Sequence, residues 1–466
     1  NTEENIANYG HHRTQQYALG GAYVARHSHI LIALWDGIDL GKVAGTSEIV
    51  KFKRTGNMKE LSADYKPPTS SLDSPDMGAI CQVVTPRVQT EEPAYAVGDI
   101  RILLPNSPDS YRLEDLLSDE LAAIESFNQD IERYANNPKV QTVNESCQKH
   151  LIPPKLWQNL PNLVPGFQNL LSVYGSANTL AKHFQTRIKH LSLLVLTMAF
   201  AMVGSYGWYA NIDHNRPFTL GIYAVLFIGA LLIVWFVKWR RYHYKALDYR
   251  ALAEGLRIQI FWHLSGLKNA VSDYYLRKQR QELAWIRSSI RALNVYDWIS
   301  NQQTPDVVHN HWVLYEKVWF AKSAEKKKQI SQRLNWIIKG LFGLGILCMG
   351  GLLFDQMFLG FGYDSILQTH PTWHNLLILL IALFPAAGAL LHHYVETMAF
   401  AESAKQYRRM AHLFERADEQ LKQFQHGETD IHSTEQKVLF ELGKEALEEN
   451  GDWVLLHRKP PIKVHI

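Results

Sequence analysis

Six residues of this chain have the types and spacing to do chemistry: Asp36, Gly37, Gly45, Thr46, Ser47 and Glu48. They stand in SHILIALWDGIDLGKVAGTSEIV, residues 28–50. A glycine at the head of a helix lets an anion come close, and the free N–H groups and positive dipole end of the first turn then hold it. A carboxylate just beyond a strand, as at Asp36, lies where ligands sit in open α/β sheets. Glu48 is the candidate acid or base of such a site. The plainer alternative is a helix cap, with Thr46 or Ser47 serving only as N-cap.

The elements that would position these residues are a strand, a tight turn and a helix. Ile30, Leu31, Ile32, Ala33 and Leu34 form an unbroken apolar run, which predicts a parallel strand covered on both faces. Trp35-Asp36-Gly37 ends it, and a helix begins near Gly45-Thr46-Ser47-Glu48. Further strands are predicted at 79–85 and 98–104.

The segment YALGGAYVARHSHILIALWDGIDLGKVAGTSEIV resembles the SLOG superfamily, Rossmann-like domains related to the LOG phosphoribohydrolases and to the N-terminal regions of TRPM channels. Gly45, Thr46 and Glu48 match the GTxxE part of the LOG signature PGGxGTxxE, whereas Ala44 replaces the preceding Gly and the Pro-Gly opening is absent. The resemblance covers roughly residues 10–105. It implies a nucleotide-derived ligand held by Asp36, Gly37, Gly45, Thr46, Ser47 and Glu48, with Glu48 as the residue a hydrolase of this type would employ. The departures weigh against catalysis more than against binding. The family's first strand-helix units are not visible, and because the chain opens at Asn1 it is expected to lack its natural beginning.

Four apolar runs follow, at 191–210, 218–237, 340–354 and 376–395. A helix needs about 20 apolar residues to cross about 30 Å of hydrocarbon, so the first two are membrane spans by length. Trp336, Ile337 and Ile338 lengthen the third, and the fourth contains Pro385. Each of these two could instead be a buried core helix, but their pairing and basic flanks favour the membrane. Lys182, Arg187, Lys189, Lys238, Arg240, Arg241, Lys245 and Arg250 flank the first hairpin. Lys322, Lys326, Lys327, Lys328, Arg333, Lys339, Lys405, Arg408 and Arg409 flank the second. The short loops hold Arg216 with Asp213, Asp355 and Asp364, so both termini and the middle segment are expected in the cytoplasm, at an inner membrane. Trp208, Tyr209, Trp235, Trp239, Trp336 and Trp373 fall near the interfaces.

An internal repeat runs through this part. Tyr249, Arg250, Leu252, Ala253 and Leu256 align with Tyr407, Arg408, Met410, Ala411 and Phe414 at a constant offset of 158, which also carries the run at 218 onto the run at 376. Each hairpin should continue into an amphipathic cytoplasmic stalk. The chain therefore divides into a SLOG-like α/β domain at 1–110, a helical linker at 111–180, transmembrane hairpins at 181–246 and 337–395, a cytoplasmic helical region at 247–336 and C-terminal helices at 396–466. The hairpins, the stalks and the tail FELGKEALEENGDWVLLHRKPP are similar to the membrane effector regions that bacteria fuse to SLOG sensors in nucleotide-signalling defence systems.

Composition narrows the classes. A formal charge of +3, with basic residues gathered beside apolar runs, gives no support to a nucleic-acid partner. Cys81, Cys147 and Cys348 are widely spaced and form neither a disulfide framework nor a zinc site. The 21 histidines make clusters such as His309/His311, His392/His393 and His11/His12 unsurprising, and no metal or other cofactor is expected. No charge stands at the centre of an apolar run, which argues against a transporter's ion path. Ala201, Gly204, Ser205, Gly343, Gly350, Ala386 and Gly388 suit close helix packing. Three functions stay open: a ligand-gated, oligomeric and pore-forming membrane effector, a membrane-anchored nucleotide hydrolase using Glu48, and a scaffold.

Overall fold

The computed structural model describes residues 10–58, 78–87, 95–104, 110–111, 113–152, 165–212, 217–276, 283–294, 305–361, 370–424 and 431–458. The protein is mostly helical. In chain order the elements are α1 (His11–His27), β1 (Ile30–Leu34), α2 (Thr46–Thr55), β2 (Ala79–Val83), β3 (Ile100–Leu103), β4 (Ser110–Tyr111), α3 (Leu113–Ala135) and α4 (Pro138–Leu151). There follow α5 (Pro165–Asn211), α6 (Pro217–Trp239), α7 (Tyr242–Leu264), α8 (Ala284–Leu293), α9 (Tyr315–Gly360), α10 (Pro371–Thr397), α11 (Phe400–Phe424) and α12 (Ile431–His457). The chain forms two compact units. One comprises Asn1–Asn178, Ala251–Gln303 and Gly443–Asp452; the other comprises Thr179–Arg250, Thr304–Leu442 and Trp453–Ile466.

In the first unit, β1 and β2 pair in parallel with α2 between them in the chain, which is one βαβ unit. The sheet then reverses: β3 is antiparallel to β2, with Gln82 opposite Arg101, and β4 is antiparallel to β3. The described residues thus contain a small mixed sheet, with the strands predicted at 79–85 and 98–104 in place as β2 and β3. Ala18, Ala22 and Ala25 of α1 lie on one helical face and pack with Leu31, Ala33, Val50, Phe52, Ile80 and Leu103. The expectation that β1 is covered on both faces does not hold. Ile32 and Leu34 are 68% and 65% exposed, because only the face of β1 that carries Leu31 and Ala33 meets the core.

Lys53 is fully buried and closes the end of α1, its Nζ donating to the carbonyls of Ala25 (2.7 Å) and Ser28 (2.6 Å). An ammonium there meets the negative end of the helix and satisfies its orphan carbonyls. The helical part of this unit is built on Trp262, which is fully buried against Tyr274 at 5.8 Å between rings. Gly443 approaches its indole so closely that any Cβ there would collide. The Tyr275 hydroxyl donates to the carbonyl of Ala251 at 3.0 Å.

Among the described residues, four helices are long and apolar enough to cross a membrane, and only 6–11% of the residues in their apolar stretches are buried. Core helices of a soluble protein would be covered. These instead present Phe227, Leu232, Ile346, Leu347 and many similar side chains outward, a surface that hydrocarbon stabilises and water does not. Trp208, Trp235, Trp239, Trp336 and Trp373 are all exposed. Where the helices touch, they touch closely. A Cβ on Gly388 would lie 3.0 Å from the Phe342 ring, one on Gly204 3.7 Å from Leu383, while Gly343 and Gly350 face open space. Asp213, Arg216 and Asp364, on which the loop charge argument rested, lie outside the described residues.

The internal repeat extends into the backbone. Two non-glycine residues just after the second helix of each hairpin adopt left-handed φ angles, Arg241 (51°) and Ala399 (44°), at the same offset of 158. Across each elbow an aromatic pair meets edge to face: Phe236 with Tyr242 at 6.0 Å and 80°, and Tyr394 with Phe400 at 6.2 Å and 60°. The stalk face of the first copy is buried, and that of the second only in part. Tyr249, Leu252 and Leu256 are at most 3% exposed, and Met410 and Phe414 are at 7% and 0%, whereas Tyr407 is partly exposed.

Candidate functional site

The chain leaves β1 at Leu34, and the next two residues anchor the turn that follows. The Trp35 indole donates to the carbonyl of Ile38 (3.0 Å), and Asp36 Oδ1 accepts from the backbone N–H of Ile38 (3.0 Å). Asp36 is 2% exposed, and its Oδ2 stands 3.0 Å from Nε of Arg87, in the segment after β2. A buried carboxylate needs such a partner. Gly37 has φ +92°, a conformation that L side chains rarely adopt, and a Cβ there would sit 3.3 Å from Gln82 Nε2 and 3.6 Å from the Tyr95 ring. Gln82 in turn donates from Nε2 to the carbonyl of Trp35 (3.3 Å). Arg101, paired across the ladder with Gln82, lies over the Tyr95 ring at 3.5 Å.

The helix start is the other half of the site. The N-cap of α2 is Gly45, extended at φ −73° and ψ 162°, with no side-chain cap. Thr46 and Ser47 therefore occupy the first turn and do not cap it. The N–H groups of a helix's first residues have no acceptor within the helix, and Gly45, having no side chain, can serve none of them. Glu48 N donates back to the Gly45 carbonyl at 3.0 Å. Ala44, which replaces a signature glycine, has φ 63°. The chain keeps a left-handed turn at this point although the residue disfavours it by about 1–2 kcal/mol. Thr46 is exposed, whereas Ser47 and Glu48 are buried at 6% and 3%.

The six predicted residues thus form two groups at the two ends of one loop that leaves the C-terminal end of β1. Trp35 beside Asp36 and Ala44 beside Gly45 both pack on the same core, as does Ile49. Arg87, Tyr95, Gln82 and Arg101 were not singled out in the sequence. Only the pairing of β1, β2 and β3 brings them to this end of the sheet, and no local motif marks them. Among the described residues no three His, Cys, Asp or Glu side chains converge as metal ligands. His309 of the His309/His311 pair lies in a π-helical turn, His309–Leu314, with Nε2 2.8 Å from Oδ1 of Asp418 in α11. Compared with protein-family models, with curated proteins and with solved structures, the chain matches none.

Proposed function

We propose that this chain is a multi-pass membrane effector whose SLOG-like N-terminal region senses a nucleotide-derived ligand and controls the transmembrane helices. One observation carries the reading. The loop from β1 delivers a helix start with a glycine N-cap and no capping side chain, preceded by a left-handed residue, in a chain that also holds four exposed apolar helices. Phosphate is the group that such a helix start accepts. Arg101 supplies cationic charge near the Asp36 turn, Arg87 being paired with Asp36. The basic flanks support a cytoplasmic placement of both termini at an inner membrane, and a pore formed by several copies is the output we favour.

Sensing is favoured over hydrolysis by the burial of Glu48 and by the engagement of Asp36 with Arg87, which leave neither carboxylate open as an acid or base. The test uses the full chain with candidate nucleotides, measuring binding by calorimetry and released base by chromatography. Gly45→Asp should abolish binding, since it adds bulk and negative charge at an anion site, and Glu48→Gln should leave the ligand unhydrolysed, as wild type does. Steady release of base that Glu48→Gln slows by about 10²–10⁴-fold, as losing a general acid or base would, overturns the sensor and leaves a membrane-anchored hydrolase.

A further inference from the structure

The exposed side chains of α12 form one stripe whose character changes at its end. Lys437, Glu441, Glu445, Glu448 and Asp452 recur at steps of three and four residues, the spacing of a single helix face, and all are exposed. The next step on that face is Leu455 with Leu456, 45% and 66% exposed, although Val454 beside them is fully buried. A face turned to water keeps its charge along its length, so the last turn of α12 meets a different medium.

That turn is fastened to the end of an apolar helix. His243 Nε2 donates to the carbonyl of His457 at 2.7 Å, and Arg458 Nη1 stands 3.3 Å from Asp248 Oδ1 with its guanidinium 5.7 Å from the centroid of the Tyr244 ring. His457 stacks on Trp453, with ring centroids 4.6 Å apart. His243 lies in the first turn of α7, four residues past Trp239, where the apolar helix α6 ends. Four residues rise about 6 Å in a helix, and the headgroup layer on each side of a bilayer is about 5–7 Å thick. Trp235 and Trp239, 63% and 62% exposed and stacked at 5.9 Å, mark the border itself.

We propose that Leu455 and Leu456 dip into the headgroup layer, making the last turn of α12 an interfacial anchor whose partner is the lipid surface. An apolar pair at the end of a charged stripe, held beside the border of a span, has the composition and the place of such an anchor. A second copy of the chain is the weaker occupant, because two side chains fall far short of the about 800 Å² per partner that a stable protein interface buries. The proposal rests on the membrane reading of the four apolar helices and is independent of the nucleotide site, whose residues the test leaves untouched.

The experiment uses the full chain in nanodiscs of phosphatidylcholine and phosphatidylglycerol, with Cys81→Ala, Cys147→Ala and Cys348→Ala as background. A nitroxide is attached in turn through Leu455→Cys, Leu456→Cys, Glu445→Cys and Ile346→Cys, the last being an exposed position on an apolar helix. Electron paramagnetic resonance reads collisions with oxygen, which concentrates in hydrocarbon, and with a nickel chelate, which stays in water. The oxygen-to-nickel ratio at 455 and 456 should be severalfold above that at 445 and below that at 346. A ratio at 455 and 456 equal to that at 445 overturns the anchor. Few collisions with either reagent at 455 and 456 mean that a second copy covers them, which overturns it too. A water-like ratio at 346 is a different failure, that of the membrane reading itself. Should the cysteine-free background not fold, wild type is irradiated in nanodiscs that contain phosphatidylcholine with a diazirine close to its headgroup. Mass spectrometry should then find lipid joined to residues 453–458 and none on 441–448, and no lipid on 453–458 overturns the proposal.

Discussion

At Arg241 and at Ala399 the two copies of the hairpin bend through the same left-handed residue, and an edge-to-face aromatic pair braces each bend. Beyond the bend their chemistry diverges. The second stalk buries Asp418, which takes ion pairs from His309 (2.8 Å), Lys317 (3.1 Å) and Lys422 (2.9 Å). The first stalk has fully buried Ile260 at that register. Conversely, the first stalk carries His263, bonded to Asn294 at 2.7 Å, where the second has buried Leu421. The shape of the repeat therefore rests on a few apolar and aromatic positions. Its polar locks are set separately in each copy, by whichever neighbours the later chain supplies.

The largest effect should come from charging the shared apolar face. Leu256 and Phe414 occupy equivalent positions and are both fully buried. Leu256→Asp and Phe414→Asp each lose apolar burial and bury a carboxylate with no partner, at a cost of at least about 3 kcal/mol. Both variants should lose most folded protein, measured by size exclusion and fluorescence melting in detergent. A variant that folds normally in one copy alone breaks the equivalence of the stalks.

Acid should separate the copies. Burial pulls the His263 imidazole down from 6.5 to about 4, against the bond with Asn294. Its unfolded form binds a proton that the folded form refuses, so its contribution is full above pH 6.5 and drains away as pH falls to about 4. Burial by itself would raise the Asp418 carboxyl, but hydrogen bonds from Lys422, His309 and Lys317 outweigh this and hold it at about 2. Its contribution is present above 3.8 and is lost only as pH falls toward 2. Hydrogen exchange against pH should show residues 251–264 losing protection before residues 405–424. Simultaneous loss would mean that the two locks do not act on their own stalks.

A smaller effect tests the bends themselves. Ala399→Gly removes a left-handed alanine at some cost in unfolded-state entropy, for a net gain of about 0.5–1 kcal/mol. Arg241→Gly should gain similarly, less whatever its side chain contributes. Thermal melting reads both. Destabilisation at either elbow would show that the residue is held there by contacts worth more than the strain.

Much of the architecture is legible locally. Ile30–Leu34 reads as a strand, Gly45–Glu48 as a helix start and the four runs as spans, because each depends on hydrophobic length or on residues adjacent in the chain. The repeat is legible too, since Tyr249 and Tyr407 keep one register over both stalks. The candidate site is only half legible. Asp36, Gly37 and Gly45–Glu48 stand in one segment, but Arg87 and Arg101 reach the same end of the sheet through a ladder whose direction no single strand announces. The burial of Ser47 and Glu48 was equally hidden, because helical spacing places a face without saying what will cover it.

By itself, then, the sequence determined the four helices long and apolar enough to cross a membrane, the strand-turn-helix and the doubled hairpin, since apolar length and periodicity act on the chain wherever it goes. Only the tertiary structure decided that β1 is an edge strand with Ile32 and Leu34 open, that the sheet reverses after β2, and that Asp36 meets Arg87. It also decided that Asp418 gathers His309, Lys317 and Lys422. The physical reason is the same in each case. A strand's neighbour and a buried charge's partner are settled by which distant segments pack together, and the free energy of that packing belongs to no segment alone.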